Sequence, residues 1–308
     1  MREFYDKLTE IISSDEILVD EPMKKHTTFR IGGNADLLVY PKKNQVAEIL
    51  ALAKEHQVPV TIIGNGSNLL VGDGGIRGLV LVFSKGADSV IVEDAIAEDG
   101  KVRMVAEAGV LLSKLAAEVA RRGLTGLEFA AGIPGTLGGA VVMNAGAYGG
   151  EMKDVPTGAT VLTPEGQILH LSLEELELSY RHSCIPEKEY IVLEAELALA
   201  PGEEEQIRAT MEDFKGRRID KQPLEYPSAG STFKRPEGYF AGKLIQDAGL
   251  RGYRVGGAQV SEKHCGFVIN RDNATAADVL QLITDVKQQV YEQFQVELEP
   301  EVKMIGEF

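Results

Sequence analysis

Two glycine-rich segments carry the residues whose types favour ligand binding. The first, GNGSNLLVGDGG (64–75), follows the apolar stretch PVTII, and the second is the uncharged run FAAGIPGTLGGAVVMNAGAYGG (129–150). Successive backbone N–H groups in such turns form concave sites for phosphate oxygens. The neutral donors Ser67, Asn68 and Asn144 add to them. The sequence therefore predicts an anion site, suited to a diphosphate, that depends on backbone amides rather than on charge.

The uncharged run is long enough to cross a bilayer. Its seven glycines and Pro134 argue against any helix, because each glycine in a helix interior costs about 1 kcal/mol relative to alanine and proline costs more. We therefore expect tight turns over 129–150.

Known phosphate motifs are not matched by the first segment. Gly64-Asn65-Gly66 begins like a dinucleotide fingerprint, but Leu69 occupies the position of the third glycine, and the residues after it do not resemble a helix. No GxxxxGK[ST] sequence occurs. A Rossmann site and a P-loop are both disfavoured.

Basic residues are concentrated between 215 and 235. Lys234 and Arg235 end the segment EYPSAGSTFKRP, and four more precede it: Lys215, Arg217, Arg218 and Lys221. Such a group suits a diphosphate or a carboxylate. The four residues between 215 and 221 would equally suit a solvated helix end. Arg181, in LSYRHS, would by itself most often be a surface salt-bridge partner.

Other chemistries have little support in the sequence. His182, Ser183 and Cys184 are adjacent, but adjacency separates side chains and no orienting group is evident. The five histidines are scattered and the two cysteines lack metal-ligand spacing, so no metal site is expected.

Charge and composition limit the partners. Asp and Glu outnumber Lys and Arg by 47 to 32, which gives a net charge of -15 and makes general attraction to nucleic acid or anionic lipid improbable. The N-terminal residues MREFYDKLTEII lack the apolar region of a secretory signal. We expect a cytoplasmic protein that is not inserted in a membrane.

Periodicity predicts an α/β opening followed by mixed elements. Helices are expected over 44–57, 111–123, 275–294 and after the polar linker 201–205. Strands are expected over 29–41, 59–63, 78–83, 101–109 and 190–200, with a hairpin around the turn 164–166.

Several motifs in order resemble the UDP-N-acetylenolpyruvoylglucosamine reductases. They are GNGSNLLV, AGIPGTLGGAVVMNAGAYGG, SYRHS, PSAGSTFKRP, AGKLIQDAGLRG and LEPEVKMIG, and the similarity spans roughly residue 26 to the C-terminus. The resemblance implies an α+β fold with a two-lobe FAD-binding region of the vanillyl-alcohol-oxidase type and a separate α+β substrate-binding domain. Residues 1–82, with 300–308 returning to them, would form the first lobe, 83–200 the second, and 201–299 the UDP-sugar domain.

The resemblance also implies which residues act. Arg181, Ser231 and Glu301 match the catalytic arginine, serine and glutamate of the family. Substrate contacts fall on Tyr148, Tyr180, Lys234 and Arg235. FAD contacts fall on Gly64, Asn65, Gly66, Ser67, Asn68, Ile133, Pro134, Gly135, Gly138, Gly139, Asn144, Gly146 and Ala147.

The implied activity is the reduction of UDP-N-acetylglucosamine enolpyruvate to UDP-N-acetylmuramate in cell-wall precursor synthesis. NADPH would reduce FAD, and the sugar would then enter the same site. Arg235 stands where many relatives carry asparagine, and the chain resembles the shorter subtype. The alternatives are another FAD-dependent sugar or alcohol oxidase or dehydrogenase of the same fold, and a flavin-binding module without turnover.

Overall fold

The computed structural model describes residues 1–97 and 99–308. Its α-helices are α1 (Arg2–Leu8), α2 (Val46–Glu55), α3 (Leu112–Arg121), α4 (Leu137–Val142), α5 (Glu204–Lys221), α6 (Ala241–Asp247) and α7 (Ala276–Phe294). The N-terminal strands are β1 (Leu18–Pro22), β2 (Asn34–Val39), β3 (Val60–Ile63), β4 (Leu69–Val71), β5 (Ile76–Val82), β6 (Val90–Ile96), β7 (Val102–Glu107) and β8 (Leu124–Thr125). The remaining strands are β9 (Gly146–Ala147), β10 (Gly150–Glu151), β11 (Pro156–Leu162), β12 (Ile168–Ser172), β13 (Ile191–Pro201), β14 (Ser228–Ser231), β15 (Arg254–Val255), β16 (Ala258–Val260), β17 (Phe267–Asn270) and β18 (Lys303–Ile305).

The chain divides into two compact units. Unit 1 comprises 1–18, 38–65 and 78–218, and unit 2 comprises 19–37, 66–77 and 219–308. The break between Arg218 and Ile219 falls inside α5. The predicted polar linker is short, because β13 extends to Pro201 and α5 begins at Glu204. The three-part division drawn from the sequence stays a prediction.

Unit 1 is organised around an antiparallel sheet of order β12-β11-β13-β7-β6. The long strand β13 pairs with β11 on one side and with β7 on the other, so Ala195 lies between Ala159 and Ala106. Helix α3 buries Leu112, Leu115 and Val119, which recur at the three-to-four-residue spacing that the sequence displays.

Unit 2 has a four-stranded sheet of order β14-β17-β16-β15 and the long helix α7. Helix α7 begins with a capping box in which Asp278 N donates to Thr275 Oγ1 at 3.1 Å and Thr275 N donates to Asp278 Oδ2 at 3.0 Å. It buries a continuous apolar stripe consisting of Val279, Leu282, Ile283, Val286 and Val290. Each such side chain contributes about 1.5–3 kcal/mol when fully buried, so this stripe stabilises the core of unit 2.

The expectation of a helix-free glycine run is wrong over six residues, because Leu137–Val142 form α4. Tertiary packing outweighs the low helix propensity of glycine here. A Cβ on Gly138 would lie 2.8 Å from Ala108 Cβ, so the glycine lets the helix approach its neighbour closely. Among the described residues, no helix is long and apolar enough to span a membrane.

His264 gives unit 2 a pH dependence. Its Nδ1 accepts a hydrogen bond from Gly266 N at 3.1 Å, and burial lowers the pKa of the ring. The unfolded chain, with a histidine pKa of about 6.5, therefore binds the proton more readily than the folded chain. Stability is expected to fall as the pH drops below that value, until the pH passes the lower folded pKa.

The measurement is the thermal midpoint between about pH 7.5 and about pH 5.5. His264→Asn, which keeps an acceptor for Gly266, should reduce the loss on acidification, whereas His170→Asn, at an exposed position, should not. Equal slopes in wild type and His264→Asn would contradict the assignment.

Candidate active site

The two glycine-rich segments contact each other within unit 1. Asn65 Nδ2 donates to the carbonyl oxygen of Pro134 at 2.7 Å. The hydroxyl of Thr136 lies where a Cβ on Gly64 would be placed. Position 64 must therefore be glycine for the two loops to approach one another as they do.

These residues fit the diphosphate of a dinucleotide cofactor. Gly64, Asn65, Ile133 and Gly135 are half-buried, and the loop formed by 131–136 carries no charged residue. Uncharged, closely spaced amides of this kind can surround phosphate oxygens. The fit supports the ligand type predicted from the sequence.

Two glycines of the predicted cofactor set also serve the packing of the protein itself. Gly138 is buried and donates its N–H to Ala108 O at 2.8 Å. Gly66 has a φ of +61°, and the carbonyl of His26 occupies the space of a Cβ. We leave Gly138 out of the proposed N–H donors, because its donor is already used.

Gly64→Ala tests the contact between the loops. The added methyl group would collide with Thr136, so we expect loss of bound FAD and a lower melting temperature, measured by flavin content after purification and by thermal denaturation. Gly216→Ala is the matched control, since nothing lies within 4 Å of its Cβ position. That exchange should be neutral or stabilising by up to about 1 kcal/mol. Full flavin content in Gly64→Ala would contradict the assignment.

Arg181 lies in a tight turn of unit 1, the Arg181 turn (residues 179–182). Ser179 N donates to His182 O at 3.2 Å and His182 N donates to Ser179 O at 3.1 Å. Arg181 has a φ of +56°, which is unfavourable for a residue with a Cβ. Its guanidinium carbon lies 5.1 Å from the centre of the Tyr180 ring, so the two predicted site residues contact each other.

Asn144 connects the glycine run to this turn. It is fully buried, and its Nδ2 donates to Ser179 O at 2.9 Å and to Glu151 Oε2 at 3.0 Å. Lys153 N donates to its Oδ1 at 2.8 Å. Both amide hydrogens of Asn144 thus have protein acceptors, so its side chain links the glycine run to the Arg181 turn. Its contact with FAD stays a prediction.

Tyr148 is held by an aromatic stack that the sequence analysis missed. Its ring lies 4.6 Å from that of Phe214, with an interplanar angle of 12°. Arg218 lies in the same region, close to the Cβ position of Gly132, and burial lowers the pKa of its guanidinium, while Tyr148 opposes this shift. The two stacked residues are 66 positions apart in the chain, so no local pattern connects them.

Ser231 and Glu301 lie on adjacent segments of unit 2. Glu301 N donates to Thr232 O at 2.8 Å, and Lys234 N donates to Glu299 O at 2.8 Å. Asn68 Nδ2 donates to Glu301 O at 3.1 Å. Ser231 is exposed and Glu301 is half-buried, so both are accessible to a ligand. Asn68, from the first glycine segment, contacts the backbone of Glu301.

The cations of the basic group differ in their surroundings. Lys234 forms an ion pair with Glu299. Arg235 lies over the Phe240 ring at 4.0 Å. Arg217 pairs with Asp213 at 2.7 Å along α5, as expected for a solvated helix face.

The remaining candidates from the sequence have no catalytic geometry. His182 Nδ1 lies 3.7 Å from Glu187, whereas Ser183 Oγ donates to Val142 O at 2.8 Å. Cys184 and Cys265 are free and buried, and burial raises the pKa of each thiol, which makes both unreactive. No group of three metal-binding side chains occurs in the described part of the chain.

Comparison with known proteins agrees with these features. Residues 35–172 match the family model "FAD binding domain", and residues 222–305 match "UDP-N-acetylenolpyruvoylglucosamine reductase, C-terminal domain". The fold class predicted from the sequence is confirmed. The chain is an FAD-containing oxidoreductase.

Full-length relatives identify the family. UDP-N-acetylenolpyruvoylglucosamine reductases of Agathobacter rectalis and Clostridioides difficile are 58% and 52% identical to the chain, and in each comparison 99% of both proteins is covered. The crystal structure of the Thermus caldophilus reductase superposes with a TM-score of 0.77 at 35% identity, covering 94% of this chain and 98% of that one. The chain belongs to the UDP-N-acetylenolpyruvoylglucosamine reductase family.

Proposed function

We propose that the chain catalyses the NADPH-dependent reduction of UDP-N-acetylglucosamine enolpyruvate to UDP-N-acetylmuramate in peptidoglycan precursor synthesis. The observation that carries this proposal is the pairing of the Ser231 and Glu301 segments, where Glu301 N donates to Thr232 O at 2.8 Å. When bound, FAD supplies the hydride chemistry between NADPH and the vinyl carbon of the substrate. The protein must hold that cofactor, orient the sugar and manage the charge and proton of the reaction.

FAD binding is assigned to the two glycine-rich segments. Gly64, Asn65 and Gly135 are half-buried and flank the contact between the loops. Ile133 belongs to the same set through contacts other than its N–H, which donates to Ala130 O at 3.0 Å. Gly66, Ser67, Asn68, Pro134, Gly139, Gly146 and Ala147 complete the proposed set. Backbone amide donors can stabilise the phosphate oxygens of the cofactor without a cationic side chain.

Arg181 is assigned to the carboxylate of the enolpyruvyl group. Hydride addition to the vinyl carbon leaves negative charge on the adjacent carbon and the carboxylate. A guanidinium remains protonated and presents a planar set of donors. It therefore stabilises the charge that develops during the reaction more than the charge of the ground state.

Glu301 and Ser231 are assigned to the same developing anion. A protonated Glu301 would donate a hydrogen bond to it, and Ser231 would deliver a proton to the carbon next to the carboxylate as general acid. One hydride and one proton together saturate the double bond. The serine then regains its proton from solvent.

Substrate contacts are assigned to Tyr148, Tyr180, Lys234 and Arg235. The stack with Phe214 restricts the Tyr148 ring, which favours a fixed contact with a sugar. Arg235 and Phe240 together present a cation and an aromatic face, which suits the anionic and planar parts of a nucleotide.

The direct test is product analysis. Purified protein with NADPH and UDP-N-acetylglucosamine enolpyruvate should yield UDP-N-acetylmuramate by mass spectrometry, with one NADPH consumed for each product molecule. Omission of the sugar should abolish sustained NADPH consumption. Absence of the two added hydrogens in the sugar would refute the proposal.

A further inference from the structure

The Arg181 turn is held at both of its ends by one short segment, residues 142–144. At the first end, Asn144 Nδ2 donates to Ser179 O at 2.9 Å. At the other end, Ser183 Oγ donates to Val142 O at 2.8 Å. Asn144 and Ser183 are 0% and 1% exposed, so the donor side of each hydrogen bond is shielded from water.

The side-chain amide of Asn144 can adopt only one orientation. Its Nδ2 also donates to Glu151 Oε2 at 3.0 Å, while its Oδ1 accepts from Lys153 N at 2.8 Å. A flipped amide would place its oxygen against two acceptors and its NH₂ group against a donor. The donor to Ser179 is therefore fixed by two polar groups that are separate from the turn, the Glu151 carboxylate and the Lys153 N–H.

The backbone of Arg181 needs such support. Its φ of +56° is sparsely populated by residues with a Cβ, and such conformations persist where the surrounding structure holds them. Asn144 itself has a φ of +40°. One hydrogen bond, from Asn144 to Ser179, thus joins two segments that each contain an unfavourable backbone conformation. Such conformations are typical of functional sites.

Glu151 adds an electrostatic element to this arrangement. The hydrogen bond from Lys153 lowers the pKa of its carboxyl, as do the Asn144 amide and the charge of Arg181, against the opposing effect of burial. Glu151 is therefore an anion that both attracts the Arg181 guanidinium and accepts from Asn144.

We propose that Asn144 and Ser183 are positioning residues, which fix the Arg181 turn so that the guanidinium meets the substrate carboxylate in the correct place. This inference rests on the proposed function, in which Arg181 stabilises the developing anion. Asn144 and Ser183 act through Arg181 and through the backbone, so their effects should depend on the presence of the arginine.

The experiment combines Ser183→Ala and Asn144→Asp with an Arg181→Lys background. Asn144→Asp keeps an acceptor for Lys153 N and removes the donors to Ser179 O and to Glu151 Oε2. Reoxidation of the reduced flavin by the enolpyruvyl sugar should slow about 10- to 100-fold in each variant, because small displacements of a positioned group have effects of that size. Flavin content and flavin reduction by NADPH should stay near wild type.

The coupling measurement separates positioning from general stability. In the Arg181→Lys background, Ser183→Ala and Asn144→Asp should each add less than about a threefold loss, because residues that act as a unit are not additive. Thr163→Val is the control, since Thr163 is a buried hydroxyl of unit 1 that accepts from Glu165 N and Gln167 N in a distant turn. It should leave both half-reactions unchanged.

The outcomes distinguish the two proposals. If Arg181→Lys itself leaves reoxidation unchanged, the proposed role of Arg181 fails, and the positioning proposal fails with it. If Arg181→Lys slows reoxidation but Ser183→Ala and Asn144→Asp do not, only the positioning proposal fails. Equal losses in the wild-type and Arg181→Lys backgrounds would show that the two hydrogen bonds serve stability alone. So would loss of fold or flavin in both variants, and either result would overturn the positioning proposal.

Discussion

Ser231→Ala is expected to slow reoxidation of the reduced flavin by the enolpyruvyl sugar by about 10²- to 10⁴-fold, which is the usual contribution of a general acid. Reduction of the flavin by NADPH should be nearly unchanged, because that half-reaction requires no proton at the substrate carbon. Stopped-flow absorbance measures the two half-reactions separately.

Ser231 lies where substitution should change the chemistry without changing the fold. The residue ends β14 and is exposed, so removal of its hydroxyl should not disturb the core. Ser228→Ala at the other end of the same strand is the control and should retain both rates. Near-normal reoxidation in Ser231→Ala would remove the serine from the proposed role.

Arg181→Ala is expected to reduce kcat/KM for the enolpyruvyl sugar by about 10²- to 10³-fold, the loss that accompanies removal of one preorganised electrostatic group. Arg181→Lys should be intermediate, because lysine keeps the charge and loses the planar donor set. Steady-state kinetics with varied sugar at saturating NADPH provides the measurement.

A surface arginine serves as the control for Arg181. Arg121 is exposed and pairs with Glu118 at 2.7 Å, and an exposed pair of this kind contributes about 0–1 kcal/mol to stability. Arg121→Ala should therefore leave kcat/KM unchanged. An Arg181→Ala enzyme with the wild-type value would exclude the arginine from stabilising the developing anion.

Much of the fold can be predicted from periodicity. The apolar spacing predicts α3 and α7, and the β-branched stretches predict β3, β5 and β13, because these elements bury one regular face or a whole strand. Helix α4 could not be predicted, because its glycines argue against a helix, whereas Gly138 in fact allows the helix to pack closely against Ala108. Local propensity and tertiary packing disagree at that position, and packing decides the outcome.

Less of the candidate site can be predicted from the sequence alone. Ser231 and Glu301 are 70 residues apart, and no spacing rule connects them, so only the family resemblance selects them. The hydrogen bond from Glu301 N to Thr232 O depends on how a C-terminal segment folds back within unit 2. The links from Asn144 to Ser179 and from Tyr148 to Phe214 are also long-range contacts, which short sequence motifs do not encode.

In the proposed reaction, one bound flavin transfers reducing equivalents from NADPH to the enolpyruvyl sugar. Anaerobic mixing of the purified protein with NADPH should bleach the visible absorbance of oxidised flavin. Subsequent mixing with UDP-N-acetylglucosamine enolpyruvate should restore that absorbance and form one UDP-N-acetylmuramate for each flavin. A flavin that NADPH does not bleach, or that the sugar does not reoxidise, would contradict this claim.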